Sequence, residues 1–235
     1  MDYRIKSPDE HMKKLKKDEV LNLAIEQGVL PPFHHPDAKA AIAITKAAYE
    51  GGLRIIEFTN RSANALSVFQ SIIESRAQHY PDMVIGVGTI MNVKQAKEFY
   101  QAGAQFIVAP TLNFDLGAWC SQEELFWCPG AGTATEIVQA QEWGASLVKL
   151  FPAEVLGPVF LKAVLAPCPW LKIMPSGGVT LEKDNLNNWF QAGAACVAIG
   201  SHLFTKKVMA DQQYGELETH IRTLLKTIRA LKRGV

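Results

Sequence analysis

The sequence predicts a closed (β/α)8 barrel, a TIM barrel, with an additional N-terminal helix. Two observations carry that prediction. The first is a recurring unit in which a helical stretch ends at a glycine and a short apolar, β-branched run follows. Gly103 precedes the run 104–110, Gly144 precedes 145–152, and Gly193 precedes 194–200; the segments Gln101-Ala102-Gly103-Ala104 and Gln191-Ala192-Gly193-Ala194 are near copies. The second is the alternation of about eight such strands with about eight helices, which builds parallel βαβ units. Eight units in ~200 residues close a barrel more readily than they extend an open doubly wound sheet. No strand is followed by the Gly-x-Gly-x-x-Gly turn of a dinucleotide fold.

Taken in order, residues 9–27 set Leu15, Val20, Leu21, Leu23 and Ala24 at helical spacing among Lys13, Lys14, Lys16 and Lys17, and Gly28 ends the helix. Residues 29–35 read as a first strand, although Pro31 and Pro32 cannot donate to a ladder. Pro36-Asp37 opens a helix through Tyr49 that closes at Gly51-Gly52, and 53–59 is the second strand. Further strands are expected at 83–89, 104–110, 125–130, 145–152, 171–177 and 194–200. Helices are expected near 63–78, 93–102, 115–122, 134–142, 158–166, 183–192 and 214–232. We expect one domain over 1–235, with 1–27 as a helical extension and the barrel from about 28.

Composition excludes several classes. With 24 Lys plus Arg against 23 Asp plus Glu, the formal charge of +1 offers no global field for nucleic acid or an anionic membrane. Cys120, Cys128, Cys168 and Cys196 form no C-x-x-C pair and read as reduced core residues. His11, His34, His35, His79, His202 and His220 show no ligand spacing, and adjacent His34 and His35 point to opposite faces of a strand, so no metal is expected. Residues 1–19 carry no apolar segment, and no stretch offers ~20 consecutive apolar residues, so a soluble, cytoplasmic protein is expected.

The working face of such a barrel lies at the C-terminal ends of its strands. The sixth strand, Leu147-Val148-Lys149-Leu150-Phe151, carries one lysine between otherwise apolar faces. Leu147, Lys149 and Phe151 share one side, and a buried ammonium costs several kcal/mol unless it is paired or discharged. One reading is a lysine that snorkels to water or pairs with a structural carboxylate. The other is an amine that attacks a carbonyl to form a Schiff base. Glu57 shares a face with Ile55 on the second strand; it reads either as a partner of Arg54 or Arg61, or as a proton shuttle beside that amine. Ser176-Gly177-Gly178 and Gly200-Ser201 end the seventh and eighth strands, where barrels bind phosphate on backbone N–H groups, and glycine allows close approach.

Together, Glu57-x-Thr59-x-Arg61, Gly86-x-Gly88-Thr89, Ala109-Pro110, Lys149-x-Phe151-Pro152-x-Glu154 and Pro175-Ser176-Gly177-Gly178 resemble the class I aldolases that cleave 2-keto-3-deoxy-6-phosphogluconate (KDPG) and 4-hydroxy-2-oxoglutarate (KHG). The match runs from about Gly28 to about Leu203. The resemblance implies a cofactor-free cleavage to pyruvate and an aldehyde. Lys149 would form the Schiff base at the C2 carbonyl and Glu57 would move protons through water. Arg61 and Thr89 would hold the pyruvyl carboxylate, Phe151 and Pro110 would pack on the keto acid, and Ser176, Gly177, Gly178, Gly200 and Ser201 would receive a distal phosphate. It also implies a homotrimer. The chain departs from the family at His34, where many relatives end the first strand with arginine or lysine, and at Ser176, where threonine is frequent. Two other readings share parts of this face: a phosphosugar isomerase or epimerase, which would not need Lys149, and a non-catalytic sugar-acid-phosphate binding protein, which would need neither Lys149 nor Glu57.

Overall fold

A computed structural model describes residues 15–210 and 214–233; the expected helical stretch before Leu15 lies outside them. The chain runs α1 (Lys17–Gln27), β1 (Pro32–Phe33), α2 (Ala38–Glu50), β2 (Ile55–Thr59), α3 (Ala65–Glu74), α4 (Arg76–His79), β3 (Val84–Gly88) and α5 (Val93–Gln101). It continues through β4 (Phe106–Val108), α6 (Phe114–Gln122), β5 (Phe126–Cys128), β6 (Gly130–Ala131), α7 (Ala134–Glu142) and β7 (Val148–Leu150). It ends with α8 (Ala153–Leu165), β8 (Ile173–Pro175), α9 (Lys183–Gln191), α10 (Lys206–Ala210) and α11 (Tyr214–Lys232).

All strand pairs are parallel, in the orders β1-β2-β3-β4-β5 and β6-β7-β8. The expected fifth strand is divided at Pro129, which has no N–H to give; its carbonyl still accepts from Lys149 N–H at 2.8 Å. The expected eighth strand is reduced to two bridges, Ser176 with Ala198 and Val29 with Val197. Val197 accepts from Leu30 N–H at 2.9 Å and donates to the Gly28 carbonyl at 3.0 Å. The next donor on this edge, two residues on from Leu30, would be residue 32, and Pro32 has no amide proton. Main-chain hydrogen bonds thus pass around all eight strand positions and return to the first.

The strands divide the apolar residues into two cores. Leu30, Ile55, Val84, Phe106, Val108, Phe126, Cys128, Leu147 and Met174 fill the inside with Val20 and Ala24 of α1, so the leading helix plugs the lower end. Ile56, Phe58, Ile85, Val87, Ile107, Val148, Leu150 and Ile173 face outward against the helices. β2 and β3 are buried at every position, as sheets covered on both faces require. Alternation sets Glu57 with Ile55 and Lys149 with Leu147 on the inner face.

Local chemistry starts the helices where expected. Asp37 caps α2 by accepting from Ala40 N–H at 2.8 Å, Asn92 and Asn113 do the same for α5 and α6, and Thr133 with Glu136 forms a capping box on α7. Three helices differ from expectation. The helix near 63–78 is divided into α3 and α4 at Ser75. α8 begins at Ala153 rather than near 158, because Gly157 at φ 75° joins a first turn to a helix resumed at Pro158. α10 was not anticipated.

Candidate active site

Two glycines on β3 make the room the site needs. A Cβ on Gly86 would stand 2.3 Å from the Phe106 ring, and one on Gly88 would stand 1.6 Å from Glu57 Oε1. The first glycine admits a core phenyl ring and the second admits the Glu57 carboxylate across the barrel interior. Glu57 is 1 % exposed, and its Oε2 has no hydrogen-bond partner among the described residues. Burial raises this carboxyl above its ordinary value, while the charges of Lys149 and Arg61 pull it down.

Lys149 is 7 % exposed, on the inner face of β7, with Nζ 5.2 Å from the centroid of the Phe151 ring. Cys128 lies in the same interior, its thiol pushed well up by burial. A buried amine and a buried carboxylate with a free oxygen therefore share one low-dielectric space. That arrangement can add an amine to a carbonyl and carry protons to and from the adjacent carbons.

Above them, a cavity of about 560 Å³ opens at the C-terminal ends of the strands. Seven expected site residues line it: Arg61, Phe151, Ser176, Gly177, Gly178, Gly200 and Ser201. Phe151 connects it with Lys149 beneath. Thr89 and Pro110 stand at the ends of β3 and β4, on the opposite side of the barrel from β8 and the Gly200 turn, and do not line this cavity. Thr89 is held at φ 62°, a costly conformation for a β-branched residue and one that concentrates at functional sites. Asn60 N–H donates to the Gly88 carbonyl at 2.9 Å beside it.

The turn after β8 needs glycine twice over. Gly177 and Gly178 have φ of 97° and 69°. A Cβ on Gly177 would stand 2.1 Å from Glu154 Oε2, and one on Gly178 2.7 Å from the Glu154 Cβ. Glu154, in the first turn of α8, thus packs on this turn and lines the cavity, the one acid among its lining residues. Lys206 joins Arg61 as a cation of this lining, and His34, His35 and His202 add three imidazoles. The motif reading named Glu154 and His34 but gave no role to His35, His202 or Lys206. The position of His202 and Lys206 just after Gly200-Ser201 was the available signal.

His34 continues the inner face of β1 above Pro32, which is in register with Glu57. Its Nδ1 lies 3.1 Å from the Thr59 carbonyl. Burial lowers this imidazole below its ordinary value; Arg61 and His35 add to the effect and the bond to Thr59 opposes it. Among the described residues no three His, Cys, Asp or Glu side chains are grouped to hold a metal ion, and no helix is long and apolar enough to cross a membrane.

A protein-family model for KDPG and KHG aldolase matches residues 20–220. The 2-dehydro-3-deoxy-phosphogluconate aldolase of Treponema pallidum is 36% identical over 155 residues, 66% of this chain and 72% of that protein. The enzyme of the same name from Pseudomonas aeruginosa is 30% identical over 216 residues, 92% of this chain and 96% of that protein. The crystal structure of the 2-keto-3-deoxy-6-phosphogluconate aldolase of Zymomonas mobilis with 3-phosphoglycerate has a TM-score of 0.72 at 27% identity, over 88% of this chain and 94% of that one.

Proposed function

The chain belongs to the KDPG and KHG aldolase family, and we propose that it is a class I aldolase cleaving a 2-keto-3-deoxy sugar acid 6-phosphate, or 4-hydroxy-2-oxoglutarate, to pyruvate and an aldehyde. The observation that carries this reading is the pair inside the barrel: a lysine 7 % exposed and a carboxylate 1 % exposed, placed by alternation on one inner surface. An isomerase on the same barrel would have no use for the lysine.

The neutral amine of Lys149 adds to the C2 carbonyl, and loss of water leaves a protonated iminium. The C4 hydroxyl then gives up its proton, the C3–C4 bond breaks, and its electron pair moves to the iminium nitrogen. The products are an aldehyde and the enamine of pyruvate. Protonation at C3 and hydrolysis release pyruvate and restore the amine. Glu57 carries these protons, directly or through water; a carboxyl raised by burial exchanges them closer to neutral pH than an exposed one. Arg61 holds the pyruvyl carboxylate by charge-assisted hydrogen bonds, with Thr89 at the far rim, and Phe151 and Pro110 pack on the keto acid. The Ser176-Gly177-Gly178 and Gly200-Ser201 turns take the distal phosphate, with Lys206 supplying positive charge and the His202 imidazole beside it.

We infer further that the substrate is phosphorylated, that the chain is a single folding unit with the barrel from about residue 28, and that it assembles as a homotrimer. Val155 and Val159 on α8, 77% and 82% exposed, offer an apolar surface for self-association. The four cysteines are free thiols, which suits a reducing cytoplasm.

Intact mass after incubation with pyruvate and borohydride tests the mechanism. The wild-type chain should gain one reduced pyruvyl group, and Lys149→Ala should gain none. Folded wild-type protein that takes up no pyruvate would end the Schiff-base reading.

A further inference from the structure

We propose that His34 selects the substrate by accepting a hydrogen bond, through Nε2, from the hydroxyl next to the phosphate-bearing carbon of the aldehyde half. The inference rests on the aldolase reading above and extends it to a residue that reading leaves without a role.

The tautomer follows from the partner. Thr59 presents a carbonyl oxygen to Nδ1 at 3.1 Å, and a carbonyl only accepts, so Nδ1 carries the proton. In the neutral ring Nε2 is then a lone pair, and no group among the described residues bonds to it. Burial, with Arg61 and His35 nearby, favours that neutral form. A neutral acceptor does not suit a phosphate or a carboxylate, which offer no proton. It suits a hydroxyl.

Strand order decides which hydroxyl. β1 lies between β2, which leads to Arg61, and the eighth strand position, which leads to Gly200. The approach is close on the Gly200 side, where an added Cβ would stand 2.9 Å from the Pro32 carbonyl. His34 therefore stands between the carboxylate end and the phosphate end of a substrate in the same cavity. The C4 hydroxyl is served by the Glu57 and Lys149 pair below; the hydroxyl one carbon nearer the phosphate is the one that reaches the top of β1.

The aldol addition of pyruvate measures this directly. Glyceraldehyde 3-phosphate carries the hydroxyl, and 3-phosphooxypropanal lacks it. The wild-type kcat/KM should favour the hydroxylated aldehyde by roughly tenfold, as expected for one lost hydrogen bond to a neutral acceptor. His34→Leu should bring that ratio near one, and His34→Gln, which keeps an amide oxygen as acceptor, should restore part of it. A general loss of packing would lower both rates together and leave the ratio alone. A ratio that is the same in wild type and in both variants, or near one in wild type, would overturn the proposal. Borohydride trapping of pyruvate by the wild type, run alongside, separates the two levels: no adduct defeats the aldolase reading itself, whereas an adduct with an unmoved ratio defeats the role of His34 alone.

Discussion

The Glu57 carboxylate occupies space that exists because residue 88 has no side chain, with Oε1 lying 1.6 Å from where a Cβ would be. Gly88→Ala must therefore displace the carboxylate, since the alternative is movement of a fully buried strand. Misplacement on that scale costs on the order of a hundredfold in kcat. The variant should keep its far-UV circular dichroism, and full activity in it would show that the carboxylate is not where the chemistry needs it. Glu57 also leaves a mark on stability. Its carboxyl is raised above the ordinary 4.5, mainly by burial, so the folded state holds the proton more tightly than the unfolded chain does. The stability linked to that proton is present below pH 4.5 and is lost as the pH rises through the folded value. Glu57→Gln does not titrate and escapes this loss. The Tm of the variant minus that of wild type should become more positive from about pH 4.5 towards neutrality. A difference that stays constant with pH would show that Glu57 is not held in the protonated form by burial.

At the level of elements, one glutamine joins the leading helix to the barrel. Gln27 Nε2 donates to the carbonyls of Val29 and Ile55 at 2.6 and 3.0 Å, and Oε1 accepts from the N–H of Arg54 and Ile55 at 2.6 and 3.2 Å. Gln27→Ala leaves four backbone groups without these partners and should cost about 3 kcal/mol. It should lower the denaturant midpoint at unchanged slope, with kcat intact because the site is at the other end of the barrel. A midpoint within error of wild type would show that water replaces the amide at no cost. Gln27 was illegible in the sequence because its partners are backbone atoms of segments up to 28 residues away. What punctuation marks was legible: α7 between Thr133 and Gly144, α9 before Gly193, and α11 over 214–232 lie where expected. What tertiary pairing decides was not. Pro129 divides a strand that reads as continuous, and the eighth strand has a strand's composition but pairs at only two residues. The site divides the same way. Lys149, Glu57 and the glycine turns are visible because a charge or a paired glycine interrupts an apolar pattern. The fit of Glu57 over Gly88, and the gathering of His35, His202 and Lys206 at one mouth, exist only across strands.

Over the whole molecule, charge and function are separated along the barrel axis. The lower end is closed by α1 and the inner core, and the upper end gathers Arg61 and Lys206, with the imidazoles of His34, His35 and His202 between them and the one lining acid Glu154. A formal charge of +1 means that the rest of the surface contributes little attraction for an anion. Electrostatic recognition is then a property of the cavity wall, and only a substrate with a charge at that wall should feel it screened. Between 50 mM and 500 mM sodium chloride the Debye length falls from about 14 to about 4 Å. The KM for glyceraldehyde 3-phosphate should rise by roughly threefold or more over that range. The KM for unphosphorylated glyceraldehyde, measured with the same pyruvate concentration, should move much less, because pyruvate is common to both assays. An equal response from the two aldehydes would assign the salt effect to pyruvate binding at Arg61 and remove the phosphate from the turns after β8 and Ile199. A response confined to the phosphorylated aldehyde, and lost when Lys206 and His202 are both replaced by glutamine, would locate the anion at the mouth that these residues line.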